Sequence, residues 1–484
     1  MTATYRILLA ARPRARLLAL AAAAVLFTGC ASTAVNQNLD STAQFSRQHL
    51  GAEVRWLQSD EARAQAQADV DARLAQPLSA DDAVQIALAY SPALQAMLYD
   101  SAADAATATQ GARLPNPVFA FEKLVRKEAG ARELEIGRVL SFSVLDLLLW
   151  PSRLRVAEYQ QQATRLTLAG NVVDVANSAR AAWVNAVAAE QSLTYFRQVK
   201  ATADAGAELA KRMQAAGNYS RLQRAREQAF SADAVAQLAR AQQSALATRE
   251  ALVRVLGLTD AQAAALKLPP RLPDLPPAPR DEASVQRTGL EQRLDVQLSR
   301  VSLDFLAREQ GLSRITSLVN GLEVGVVRNS ESGLPPQRGY ELAFPLPLFD
   351  FGDAGRTRTE ATYMAALNRT AQVAVEANSR VREQYGAYRT AYDVARHYRD
   401  EIVPLRKAIS DENVLRYNAM LIGVFELLAD SREQITSVVQ AIEAQRDFWL
   451  ADAALQAALV GRPIDTGTPA ASSTRSADGG APTH

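Results

Sequence analysis

Few residues of this chain have the type and spacing to do chemistry. Among 484 residues there is one cysteine, Cys30, and three histidines, His49, His397 and His484, which are scattered. Neither the thiol nor the imidazoles fall at metal-ligand spacing. No Gly-rich phosphate loop, Gly-x-Ser-x-Gly elbow or dinucleotide fingerprint occurs, so nothing points to an enzyme or a cofactor. Two carboxylates, Glu426 and Asp430, stand four apart, which puts them on one face of a helix. His397 lies in an aromatic-rich stretch and reads as a packing residue. The 53 basic and 52 acidic residues nearly cancel. Nucleic acid is therefore an unsuitable partner, since phosphate binding needs a concentrated basic face.

Cys30 gains meaning from what precedes it. Arg6, Arg12, Arg14 and Arg16 form a basic leader, followed by the apolar run Leu17 to Phe27. That run is roughly half of the ~20 residues a membrane-spanning helix needs, so it reads as an export signal. Thr28-Gly29-Cys30 resembles a bacterial lipobox, with Phe27 where leucine is usual. The implied modification is a covalent lipid on Cys30, which becomes the mature N-terminus, and Ala31 is similar to lipoproteins sorted to the outer membrane. With no second cysteine, no intrachain disulfide can form, so stability outside the cytoplasm must come from packing and assembly. At the far end, 463–484 is rich in Ser, Thr, Gly, Ala and Pro and reads as a disordered tail.

Between these ends the chain repeats itself. Aligning Ser91-Pro-Ala-Leu-Gln95 with Arg293-Leu-Asp-Val-Gln297 puts Phe142 on Phe344, Glu158 on Glu360 and Trp183 on Tyr385, each 202 residues on. Leu222 and Leu256 meet Phe425 and Leu459 at 203. Internal repetition at a fixed period is read before any fold is named. The divisions are 1–29 signal peptide, 30–78 lipidated segment, 79–267 first repeat, 268–280 linker, 281–462 second repeat and 463–484 tail. The linker, Leu268 to Arg280, is too proline-rich to be helix.

Each repeat reads as helix, two strands, a very long helix, a tight turn and a helix back. Ser79-Ala-Asp-Asp82 is a capping-box-like start. The strand candidates are Val118–Val125, Leu134–Val144, Leu318–Arg328 and Gly339–Phe349. In the second, Leu134, Ile136, Leu140, Phe142 and Val144 share a face that Arg138 interrupts. Their lengths suit a tilted membrane crossing of ~9–11 residues, and equally two soluble hairpins.

Pro151 suits the first turn of a helix, which could then run to Ala216 for roughly 100 Å. Its counterpart starts at Ala354. There Met364, Leu367, Ala371, Ala374, Asn378, Val381, Tyr385, Tyr388, Tyr392 and Ala395 recur at spacings of three and four, a coiled-coil seam. Pro404 should kink it. Return helices at Tyr219–Leu256 and Val424–Leu459 follow turns near Gly217-Asn218 and Asn418–Gly423.

The fold class is thus mainly α, internally duplicated, with long coiled-coil helices and four strands per chain. Four membrane strands cannot close a barrel, so if they cross a membrane several chains must share one.

Over roughly 79–461 this layout resembles the TolC-like outer-membrane efflux family. Phe344-Pro-Leu-Pro-Leu-Phe-Asp-Phe-Gly352 with Asp353-Ala-Gly-Arg356, and Arg416-Tyr-Asn-Ala-Met-Leu-Ile-Gly-Val-Phe-Glu-Leu-Leu428, are similar to that family's strand-to-helix passage and helical tip. Met420 stands where the second tip usually has glycine, Leu294 replaces the proline usual after Arg293, and Leu147-Leu-Leu-Trp150 is more apolar than its twin.

The resemblance implies a homotrimer forming one β-barrel above an α-helical tunnel. It implies an outer-membrane location reaching into the periplasm, contact with outer-membrane lipid, and partners in a periplasmic adaptor and an inner-membrane pump. Any catalysis would belong to the pump. It marks Glu426 and Asp430 as candidates for the closed periplasmic mouth, or else they are simply solvated charges on an exposed helix face. Gly217 and Gly423 become candidate docking tips for the adaptor, or else simply turn residues with positive φ. The rival class is a non-channel periplasmic coiled-coil scaffold lipoprotein, which leaves the paired strands unexplained.

Overall fold

A computed structural model describes residues 30–128, 131–282, 293–316, 322–344, 346, 349 and 351–461. The expected signal peptide and C-terminal tail, and part of the second strand-to-helix passage, lie outside the described residues. The helices are α1 (Cys30–His49), α2 (Asp60–Leu74), α3 (Ala80–Ala89), α4 (Pro92–Gly111), α5 (Val144–Ala215), α6 (Arg221–Leu256), α7 (Asp260–Ala265), α8 (Leu294–Thr316), α9 (Asp353–His397), α10 (Val403–Asn418) and α11 (Val424–Val460). The strands are β1 (Val118–Glu128), β2 (Ala131–Ser143), β3 (Glu323–Glu331) and β4 (Gln337–Ala343).

The two β-hairpins are not separate. β2 pairs antiparallel with β3, giving one sheet in the order β1-β2-β3-β4 with β1 and β4 at its edges. Phe142 meets Val324 across that junction. β3 is described from Glu323, the expected start at Leu318 lying outside the described residues, and β4 ends at Ala343 rather than Phe349.

From the sheet the chain passes into helix without a loop. Ser143 ends β2 and its hydroxyl accepts from Asp146 N, so α5 starts at Val144, seven residues before Pro151. Pro151 therefore lies inside the helix rather than in its first turn. The Ser143 cap and the Asp146–Arg153 ion pair hold the turns on either side of it, and Trp150 Nε1 donates to Ala112 O at 2.8 Å. α5 has 72 residues, roughly 110 Å of helix.

The second hairpin handles its proline differently. A π-helical turn, Tyr398–Ile402, interrupts the helix just before Pro404, which occupies the first turn of α10. The wider turn supplies the register shift that a residue lacking an N–H demands, so the expected kink takes this form. His397, beside this turn, is exposed and lies 3.3 Å from Glu401, so it is a surface residue rather than a packing one.

The seam on α9 divides in two. Val381, Tyr388, Tyr392 and Ala395 are buried as expected, but further up the buried face is Ala366, Val373 and Ala377. Met364, Leu367, Ala371, Ala374 and Asn378 lie exposed beside it. The aromatic part holds the linker as well as a helix. Tyr392 Oη donates to Pro276 O (3.1 Å) and Pro277 O (3.2 Å), and Tyr385 Oη to Arg280 O (3.1 Å). Trp449 Nε1 and Gln445 Nε2 on α11 both donate to Pro273 O. Prolines supply acceptors and no donors, so an extended Pro-rich strap fits a row of Tyr, Trp and Gln donors. Leu275 fills the space between Tyr388, Tyr392 and Phe448.

The larger core joins α2, α3, α4 and the middle of α5 to the end of α6 and to Leu266 and Leu272 beyond α7, with Trp183 Nε1 donating to Leu78 O at 2.7 Å. Ser79 caps α3 as expected. Each repeat is closed by a left-handed glycine at the end of its return helix: Gly257 (φ +71) against Ser91-Pro92, and Gly461 (φ +72) against Arg293 and Asp295. Arg293 and Asp295 form a fully buried ion pair, and Arg293 Nη1 also donates to Ala458 O. A Cβ on Gly461 would lie 2.7 Å from Asp295 Oδ1 and 2.8 Å from Arg293 Cβ. Gly461→Ala should therefore destabilise the fold by more than the strain of about 1–3 kcal/mol that φ alone imposes. Gly217→Ala, equally left-handed but in open space, should bear only that strain. Thermal unfolding of the two variants side by side measures the difference.

Candidate functional site at the hairpin tips

The two helical hairpins end in the same hydrogen-bonded turn. Asn218 N donates to Met213 O and Gly217 N to Gln214 O; 203 residues on, Leu421 N donates to Arg416 O and Met420 N to Tyr417 O. Each is a Schellman closure, which requires a left-handed residue after the helix. Gly217 supplies it at φ +81, and Met420 supplies it at φ +59. Met420 is thus the twin of Gly217. Gly423 instead matches Ser220: both are extended N-caps, Gly423 at φ −84 and Ser220 at φ −74. A positive φ therefore explains Gly217 but not Gly423. Ser220 has a full capping box with Gln223, and Gly423 has no side chain with which to cap. The second tip is accordingly the less firmly tied, with Met420 and Leu421 both exposed to solvent.

Glu426 and Asp430 both lie on α11 just past this tip, one turn apart as expected, yet they have different surroundings. Glu426 is exposed in the helix's first turn, where the N-terminal dipole favours a carboxylate. Asp430 is buried (9% exposed), and its Oδ2 has no hydrogen-bond partner among the described residues.

Beside it lies a polar clasp that sequence reading missed. Glu227 of α6 is 1% exposed, and both its oxygens accept from Arg432 Nη2 of α11, at 3.2 and 3.3 Å. The Arg432 guanidinium also stacks 4.4 Å from the centroid of Phe230. Its Nε is buried without a partner among the described residues. Burial raises the Tyr219 hydroxyl's pKa, and the nearby Glu227 and Tyr417 add to the rise. Farther out, Arg406 of α10 pairs with Glu433 of α11.

A signal for Glu227 did exist. The buried positions of α6 run Glu227, Ala234, Ala241, Ala245, Leu252 and Leu256, a heptad-like line with one charged member. A charge on such a line calls for a partner, and only the packing of α11 on α6 identifies it as Arg432.

These features define a class: a duplicated chain with four strands at one end, two helical hairpins whose outgoing arms run roughly 100 Å, and an ionic clasp near the tips. No protein-family model and no curated protein matches the chain. Solved structures do. The CmeC outer membrane channel of Campylobacter jejuni matches with a TM-score of 0.66 at 14% identity, over 79% of this chain and 85% of that one. The MtrE outer membrane channel of Neisseria gonorrhoeae, in its open state, matches at 0.64 and 17%, over 81% and 89%. A membrane protein from Pseudomonas aeruginosa matches at 0.65 and 19%, over 78% and 93%. The chain therefore shares the fold of these outer-membrane channels. Among the described residues, no helix is long and apolar enough to cross a membrane.

Two outcomes follow from the tip geometry. Met420→Gly should stabilise the second hairpin by about 1 kcal/mol by removing left-handed strain, read from thermal unfolding. Glu227→Gln should weaken the α6–α11 clasp by about 1.5–3 kcal/mol, seen as tenfold or faster amide exchange in the first turns of α11.

Proposed function

We propose that this chain is the outer-membrane channel of a tripartite export system, a passive homotrimeric duct. An inner-membrane pump and a periplasmic adaptor would deliver its substrates, and a lipid on Cys30 would anchor it. One observation carries the reading. The sheet has two unpaired edges and an apolar exposed face, including Phe119, Phe121, Phe142, Val326 and Tyr340, and its strand β2 runs directly into the long α5. A membrane sheet must close to satisfy its edge N–H and C=O groups, and four strands need more from neighbouring chains. The channels CmeC and MtrE share this fold, which supports the reading.

The tips supply the proposed gate and dock. Glu426 of each copy would face the axis and form a ring of carboxylates that attracts cations. Asp430 Oδ2 and Arg432 Nε are already buried in the single chain, so α11 would have to re-pack on assembly for Asp430 to join that ring. Gly217 and Gly423, in open space, leave room for an adaptor hairpin to approach the backbone. The scaffold alternative predicts a monomer that is soluble once Cys30 is removed.

In bilayers, the detergent-extracted chain should migrate as a heat-modifiable trimer and conduct. Glu426→Ala with Asp430→Ala should raise passive conductance or relieve cation block; unchanged conductance and selectivity remove these residues from the gate. Gly217→Arg should trimerise normally and lose export, and full export would exclude that tip from docking.

A further inference from the structure

The pairing register sorts the strand side chains into two faces of opposite character. On one face the rows are Phe142-Val324-Leu342, then Phe119-Leu140-Val326-Tyr340, then Phe121-Arg138-Arg328-Arg338, counted away from the helices. Lys123 and Lys127 continue this face toward the hairpin ends. The glutamates Glu122, Glu133, Glu135, Glu323, Glu331 and Glu341 all lie on the other face, with Gly137, Gly325 and Gly339. The first face is the one a bilayer can accept, and the second suits a wet interior.

The arginine row is the anomaly. Arg138 pairs directly with Arg328, and Arg328 with Arg338. Directly opposed like charges on neighbouring strands repel. None of the three is within ion-pair distance of a carboxylate among the described residues, and their strand neighbours on that face are apolar, hydroxylic or basic. Three guanidinium groups side by side at the border of an apolar band form a planar, multidentate receptor for phosphate. The row lies on the side of the band away from the helices, which on the channel reading is the outer leaflet.

We propose that Arg138, Arg328 and Arg338 bind the phosphate-bearing headgroups of outer-leaflet glycolipid. The inference rests on the channel reading, since it needs this face to meet lipid. The row's cost in charge repulsion is offset when a headgroup anion bridges it, so the barrel would be held at a fixed depth by a ring of bound lipid.

The test uses the full-length lipidated protein in nanodiscs, with bis-phosphorylated lipid A, fully dephosphorylated lipid A and inorganic phosphate as separate probes. Native mass spectrometry and titration read binding. Wild type should prefer bis-phosphorylated over dephosphorylated lipid A at least tenfold. R138Q/R328Q/R338Q should lose that preference while keeping heat-modifiable assembly and conductance, because these side chains face away from the interior. Arg126→Gln, on the other face, should bind as wild type does, and the single Arg328→Gln should weaken binding about threefold even if the triple variant fails to assemble. Equal lipid A binding by wild type and Arg328→Gln overturns the proposal alone. Phosphate competing at low concentration with no preference for phosphorylated lipid A overturns the lipid source. A wild-type chain that neither trimerises nor inserts overturns the channel reading itself.

Discussion

The unpaired edges of the four-stranded sheet govern everything else in this structure. β1 and β4 each leave a row of backbone donors and acceptors, and the face between them exposes Phe119, Phe142, Val326 and Tyr340. In water such a face is an aggregation hazard; in lipid each bare edge group costs several kcal/mol. On the proposed channel reading, closure with other copies would satisfy both demands. The helices are bound to the same solution, because β2 flows through Ser143 into α5 with no joint at which sheet and helix could move independently.

The duplication makes that solution economical. Each repeat is folded back and locked at its base, Gly257 against Ser91-Pro92 and Gly461 against the buried Arg293–Asp295 pair. Each also ends at its far tip in the same Schellman turn. What differs between repeats is the finish. The first tip has glycine and a complete capping box; the second has a strained Met420 and an uncapped Gly423. Firm bases with one looser tip concentrate any motion at the end of α10 and α11, next to Glu426, Asp430 and the Arg432–Glu227 clasp. Local stability set in this way places opening where contacts are fewest.

Much of this was legible in the residues. The repeat, the order of elements, both turns and the effect of Pro404 follow from period and from the Gly and Pro positions. The failures have physical causes. Pro151 reads as a helix start only if nothing before it is helical, and the Ser143 cap lies beyond what that rule considers. Gly217 and Gly423 look like twins because both are glycines near a turn, whereas the hydrogen-bond register pairs Gly217 with Met420. The aromatic run Tyr385, Tyr388, Tyr392 fits a seam period, but its hydroxyls serve the proline strap, a non-local contact invisible to periodicity. The β2–β3 pairing, Asp430's burial and the partner of Glu227 depend on packing across some 200 residues, which a single sequence does not encode in local pattern.

The central claim is that a fixed number of copies closes one sheet through β1–β4 contact. Cysteines placed one on β1 and one on β4, with the chain carrying Cys30 alone as the control, test it by oxidation in the membrane. Closure of a trimer predicts a ladder that stops at three covalently joined chains. A chain that remains monomeric, or a ladder that continues past three, would contradict it.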